Sequence, residues 1–211
     1  MRVTGTGEPS FLIEMGFRPH HREQAASAYW DAFSRKLNIP LGPPQKAIAF
    51  IRQALNPDHA ISAVSLQGEF LGVAGFKTPA GAFIGGGFSE LAQVYGSLGA
   101  LVRGLLVSVL ERACEDRTLL MDGIFVKNAA RGLGVGTELL NAIERHAAHL
   151  GLERVRLDVI DTNPRARSLY ERRGFEEHSV QSIGPLKGLS GFASATTMYK
   201  TIPKPACACD C

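Results

Sequence analysis

The stretch that most constrains the fold is an apolar run at residues 119–126, then Arg131-Gly132-Leu133-Gly134-Val135-Gly136, then an amphipathic segment. In that segment Val135, Leu139, Leu140, Ile143, Ala147 and Leu150 share one helical face, which must pack on a neighbouring layer. A strand, a glycine turn and a helix in this order imply a layered α/β chain. Glycines let backbone N–H groups approach a ligand without Cβ obstruction, and the partly positive start of the helix points the same way. The turn therefore suits a phosphate or pyrophosphate, although a tight strand-to-helix turn alone accounts for the same letters. A P-loop needs Gly-Lys-Ser/Thr, and Gly136 is followed by Thr137 with no preceding lysine. The dinucleotide pattern G-x-G-x-x-G asks for a third glycine where Val135 or Thr137 stands.

The flanking segments extend the reading. Residues 11–17 are expected as a first strand, and helices are expected at 21–36 and at 45–55. Two β-rich runs, 60–66 and 70–77, are separated by Gln67-Gly68-Glu69 and read as an antiparallel hairpin. Residues 78–118 are read as an insertion containing a broken helix at 89–113. After the helix that Gly151 stops, 155–160 reads as a strand. Asn163-Pro164 opens a short helix that Gly174 closes, with Asn at the cap, Pro at the first turn and Gly past the end. Residues 179–200 supply the last two strands. The expected organisation is a flexible start at 1–10, one domain at 11–202 and a tail at 203–211.

Composition limits the function classes. Apolar residues at 45% and charged residues at 20% are ordinary for a globular chain of 211 residues. A net charge of +3 is too small to argue for nucleic acid. The apolar stretch 98–110 is interrupted by Arg103 and is too short for a membrane span, so it reads as a buried or partner-facing helix. Residues 1–10 lack the apolar core of a secretory signal. Three of the four cysteines, Cys207, Cys209 and Cys211, crowd the terminus and only Cys114 lies in the body, so no disulfide framework is expected. A reducing, cytoplasmic setting follows from that reading. Neither the cysteine tail nor His146 with His149 makes a convincing metal site, and no metal is expected.

Residues 119–176 resemble the GNAT superfamily of acyl-CoA N-acyltransferases. The resemblance rests on a strand ending Ile124-Phe125-Val126, on the Arg-x-x-Gly-x-Gly turn at Arg131 to Gly136, and on Asn163, Ala166, Tyr170 and Gly174-Phe175 at the family's spacing. It implies an α/β (α+β) fold with a mixed central sheet flanked by helices, the helical insertion lying before the fourth strand. It also implies acetyl-CoA as co-substrate, without a metal. Its pantetheine arm would bond to the backbone of Ile124, Phe125 and Val126, and its phosphates to Arg131, Gly132, Leu133, Gly134, Val135, Gly136 and Thr137. Lys127 and Arg165 are further phosphate candidates. Asn163 either caps its helix or bonds the cofactor, and Tyr170 looks like the general acid that meets the departing thiolate. Asp158 and Asp122 are candidate bases, the latter because it shares strand parity with Ile124 and Val126.

The implied reaction is acetyl transfer to a primary amine in a ternary complex. A non-catalytic acyl-CoA-binding module is the alternative, and a nucleotide-dependent oxidoreductase a weaker one. The acceptor is expected to be a small-molecule or peptide amine, with nucleic acid and membrane excluded and a homodimer left open. Tyr29, Trp30 and Phe33 either line the acceptor pocket or belong to the core. The insertion serves as lid, pocket wall or dimer contact.

Overall fold

The computed structural model describes residues 10–108, 113–182 and 192–203. The expected flexible start up to residue 9, the end of the insertion helix at 109–112 and the cysteine tail from 204 lie outside the described residues. A mixed, mostly antiparallel sheet forms the centre. Its strands are β1 (Phe11–Met15), β2 (Ala60–Ser65), β3 (Phe70–Thr78), the short β4 (Gly81–Ala82), β5 (Thr118–Val126), β6 (Arg154–Ile160), β7 (Glu176–Ser182) and β8 (Ser194–Thr201). They run β1-β2-β3-β5-β6-β8-β7 across the sheet, with β4 hairpinned onto β3. Because β4 intervenes, the strand at the head of the glycine turn is the fifth, not the fourth.

Helices cover both faces. On one side α4 (Val135–His149) and α5 (Pro164–Arg172) bury Val135, Leu139, Leu140, Ile143 and Ala147 with Tyr170 against Leu119, Met121, Val155, Leu157 and Val159. The opposite side holds α1 (Arg22–Leu41), α2 (Pro44–Ala54) and α3 (Phe88–Ser108), whose core gathers Trp30, Phe50, Ile51, Phe70 and Phe83. The first helix outruns its expected end, because Pro40 falls in its last turn, where one lost backbone bond is cheap, and Leu41 beyond it is buried. The break expected in the insertion falls at Gly96, whose φ of 73° no helix contains.

Among the described strands only one pair is parallel, and it is short. β5 and β6 match at Thr118 with Arg154, Leu119 with Val155 and Leu120 with Arg156, after which β5 stays with β3 while β6 continues along β8. The two strands splay apart beyond Leu120. A β-bulge then sits in β5: β3 advances from Gly75 to Phe76 while the partner steps from Gly123 to Met121, leaving Asp122 as the extra residue. The bulge corrects the parity expected of Asp122. Leu119 and Met121 point into the α4 core and so do Ile124 and Val126, so alternation resets there. At Gly123 α1 lies against the strand so closely that a Cβ would stand 2.3 Å from the Phe33 ring.

Three buried or half-buried histidines sit in this framework. Asn56 Oδ1 accepts from the Asp58 N–H, so its Nδ2 donates to His59 Nδ1, which must be unprotonated. His21 Nε2 donates to the Gly68 carbonyl at 3.0 Å, while its buried Nδ1 has no acceptor for a second proton. His146 packs on Phe76, with ring centroids 4.9 Å apart, so its side chain is not the solvated one expected of that helix face. Burial pushes all three imidazoles below the ordinary histidine range. The unfolded chain therefore takes up protons first as pH falls, and stability present above about pH 6.5 is lost below it, by at most about 1.4 kcal/mol per pH unit per histidine. We expect the Tm to be level near pH 8 and to fall between pH 7 and 5, with a shallower fall in His59→Gln; a Tm that is flat or rises on acidification contradicts this assignment.

Candidate functional site

A cleft of about 1420 Å³ wraps the carboxyl end of β5. Its floor is Ile124, Phe125 and Val126, followed by Lys127 and Asn128. One wall is the glycine turn and the first turn of α4, and a second is the face of α5 carrying Asn163, Arg165, Ala166, Leu169 and Arg172. On the other side of the sheet the wall is α1, with Glu23, Gln24, Ser27, Ala28 and Asp31 at helical spacing. The cleft thus passes from one helical layer to the other at the place where β5 and β6 part.

The turn is built for an anion. Gly132 and Gly134 take φ of 86° and 84°, the left-handed region that side chains avoid, and a Cβ on either would meet nothing within 4 Å. Gly134 gives α4 no side-chain cap, so the N–H groups of Val135, Gly136 and Thr137 lack the intrahelical acceptors that later residues enjoy. The Glu138 N–H is the first to be satisfied within the helix, by the Gly134 carbonyl at 3.0 Å. Three N–H donors at the positive end of a helix of fifteen residues, open to a cleft, match the oxygens of a pyrophosphate.

Charge around the cleft is divided. Lys127, Arg131, Arg165, Arg172 and Arg173 surround the turn together with the Glu138 carboxylate, whereas Glu23 and Asp31 stand on the α1 wall. The Arg131 Nε donates to the Val126 carbonyl at 3.3 Å and ties the turn to the strand end. Lys127 donates to Gln24 Oε1 at 2.8 Å, and Arg173 donates to Asn141 Oδ1. Arg165 and Arg172 also line the cleft, and neither makes a hydrogen bond or ion pair among the described residues. Asn163 serves its cap role, accepting from the Ala166 N–H at 3.2 Å, and it lines the cleft as well.

The expected proton-transfer residues stand differently. Tyr170 is 5% exposed, packs on Phe175 with ring centroids 6.0 Å apart and belongs to the α4 core rather than the cleft lining. Burial pushes its phenol well above the ordinary tyrosine range. No hydrogen-bond partner for its hydroxyl is found among the described residues. Asp158 points away from the α4 core, accepts from Thr197 Oγ1 at 2.6 Å and lies 3.9 Å from Arg156 Nη2. Neither Asp158 nor Asp122 lines the cleft. Trp30 is core, and Tyr29 and Phe33 pack against Phe83 and Gly123, so the cleft-facing stripe of α1 is its polar one. In sequence, Glu23, Ser27 and Asp31 look like an ordinary solvated helix face. Only the register of α1 over β5 turns them toward the cleft.

The mixed sheet thus splays around an uncapped, glycine-started helix. The profile of the Acetyltransferase (GNAT) family matches residues 22–175, and the chain belongs to that family. Its members draw the acetyl group from acetyl-CoA. A thialysine N-epsilon-acetyltransferase of Bos taurus is 33% identical over 63 residues, which are 30% of this chain and 37% of the relative, so the match spans well under half of that protein. Solved structures share the fold at lower identity. Ard1 from Thermoplasma volcanium superposes with a TM-score of 0.60 at 15% identity, covering 93% of this chain and 100% of that one. The ribosomal-protein-S18-alanine N-acetyltransferase from Escherichia coli gives 0.53 at 13% identity over 94% and 97% of the two chains. No described helix is long and apolar enough to cross a membrane.

The turn carries a direct test. Gly134→Ala forces a side chain into the left-handed region, at a cost of roughly 1–2 kcal/mol, without any steric clash. The variant is expected to fold with a lowered Tm and to lose most of the thermal stabilisation by coenzyme A; full stabilisation by coenzyme A would show that the turn does not hold the phosphates.

Proposed function

We propose that this chain transfers acetyl from acetyl-CoA to a primary amine by direct attack in a ternary complex. The observation that carries the reading is the set of open N–H donors at Val135, Gly136 and Thr137 facing the same cleft as the free backbone edge of Ile124 to Val126. Acetyl-CoA supplies a thioester whose acyl carbon is open to a nucleophile. The glycine turn, with Arg165 and Arg172 on α5, holds the phosphates. Among the described strands none pairs with the β5 edge facing β6 at Ile124 to Val126, so backbone groups there are placed to hydrogen-bond the pantetheine arm. A main-chain N–H near Val126 polarises the thioester carbonyl and stabilises the oxyanion, a contribution of a few kcal/mol for a well-placed donor.

Tyr170 acts on the departing sulfur as a hydrogen-bond donor. Its raised pKa keeps the phenol protonated, and a thiolate of pKa about 8.5 is too weak a base to strip it, so the contribution is a hydrogen bond to the thiolate. Asp158 is the first candidate to take the proton of the attacking ammonium through water, with Asp122 second. The carboxylates of Glu23 and Asp31 give the α1 wall a charge that suits a cationic acceptor, and the relative named for thialysine N-epsilon-acetylation supports an amine.

A second reading, a module that binds acyl-CoA without turnover, is favoured by the burial of Tyr170 and by the engagement of Asp158 with Thr197. Two measurements separate the readings. Acetyl-CoA is expected to raise the Tm and NAD to leave it unchanged, and an amine panel is expected to release free coenzyme A thiol. Stabilisation without thiol release on any amine favours the module. For the catalyst, Tyr170→Phe lowers kcat by about 10- to 100-fold while KM for acetyl-CoA stays within about twofold; unchanged turnover removes Tyr170 from the mechanism. Asp158→Asn is expected to abolish the acidic limb of kcat/KM against pH, and a limb that survives both Asp158→Asn and Asp122→Asn assigns the proton to water.

A further inference from the structure

Beyond the break at Gly96 the second piece of α3, up to Ser108, is apolar on two faces, and among the described residues only one of them packs on the core of the fold. Before the break, Leu91, Ala92, Val94 and Tyr95 pack on the α1 and α2 core; beyond it, the inner side is Ala100 and Val107. Arg103 is turned inward too, donating to the Gly42 carbonyl at 3.2 Å and lying over the Tyr95 ring at 4.3 Å. The outer side carries Leu98, Leu101, Val102 and Leu105, which are 78%, 64%, 52% and 71% exposed, with the less exposed Leu106 beside them. Their spacing of three, one and three residues makes a single stripe along the helix. None of the residues of α3 lines the cleft, so the helix is neither a wall of it nor part of its floor.

We propose that this stripe is the interface of a homodimer, α3 packing on the α3 of a second copy across a two-fold axis. A helix that is apolar all round is a buried helix, and the fold of one copy buries only half of this one. The stripe holds no charged residue: Glu90 lies in the first turn, where it bonds the Gly87 N–H and Ser89, and Arg103 is spent inside. A lipid-facing amphipathic helix carries lysines and arginines beside its apolar face, and this one offers none among its described residues. A charge-selected foreign partner has nothing to read, whereas a two-fold axis sets the same leucines against each other and needs no complementary surface elsewhere. Four large side chains exposed by more than half amount to on the order of 500 Å² per copy. Doubled across the axis, that reaches the roughly 1,000 Å² total at which specific interfaces begin.

The full chain is tested by sedimentation equilibrium over a concentration series, beside the double variant Leu101→Glu/Leu105→Glu, with far-ultraviolet circular dichroism as the check of folding. The wild type is expected at twice the chain mass and the folded variant at the chain mass. If the double variant does not fold, Leu105→Gln decides: a dimer dissociation constant raised at least about tenfold supports the interface. A wild type that is monomeric throughout, a variant dimer as tight as the wild type, or a monomer that cosediments with phosphatidylcholine vesicles overturns it. Because α3 is outside the cleft, acetyl-CoA binding is unchanged in these variants whether or not the catalytic reading holds.

Discussion

Everything at the site follows from how briefly β5 and β6 pair. Three parallel residue pairs hold them together, and then each strand follows a different antiparallel partner, β5 along β3 and β6 along β8. A sheet normally consumes both edges of an inner strand. Here one edge of β5 is left unspent through the residues that floor the cleft, because its neighbour has turned away. The glycine turn then brings the start of α4 to the same end of the strand. Strand edge and helix end both leave backbone N–H groups without a main-chain partner among the described residues, and both face one cleft. The chain thus offers a ligand mainly main-chain donors, whose geometry is fixed by the core beneath α4 rather than by rotamers.

The side chains around that backbone sort by layer. Cations from the turn and α5 outnumber the one carboxylate, Glu138, on their wall, while α1 carries Glu23 and Asp31, so a ligand with an anionic end is favoured in one orientation. The bulge at Asp122 sharpens this. By resetting alternation it turns Ile124 and Val126 toward the α4 side while Gly123 meets Phe33 of α1, so one strand serves two helical layers within a few residues.

Much of this was legible in the sequence, and the residues show why the rest was not. The turn from Arg131 to Gly136 and the spacing of Asn163, Ala166, Tyr170 and Gly174 are local patterns. Local patterns survive the loss of the third dimension, so strand, turn, helix and cap fall where the letters place them. Asp122 was misplaced because strand parity assumes an unbroken ladder, and a bulge is recorded in no single residue. His146 looked solvated because its neighbour Phe76 is seventy positions away in the chain. Glu23, Ser27 and Asp31 carried no mark of a binding wall, since a polar stripe reads alike whether it faces bulk water or a cleft. The first helix ran a few residues beyond its expected end because the burial of Leu41 outweighed propensity.

The contact between Phe33 and Gly123 divides α1 into two inheritances. Its packing stripe is locked, since any side chain at Gly123 collides with the ring and the helix cannot shift without opening the core. The stripe of Glu23, Ser27 and Asp31 bears none of that load. Substitutions are thus able to rewrite the α1 wall of the cleft letter by letter, while the backbone donors of the strand end and the glycine turn opposite keep their geometry. A fold organised this way diversifies on one side only, and its variable half is spelled by a few exposed positions on a single helix.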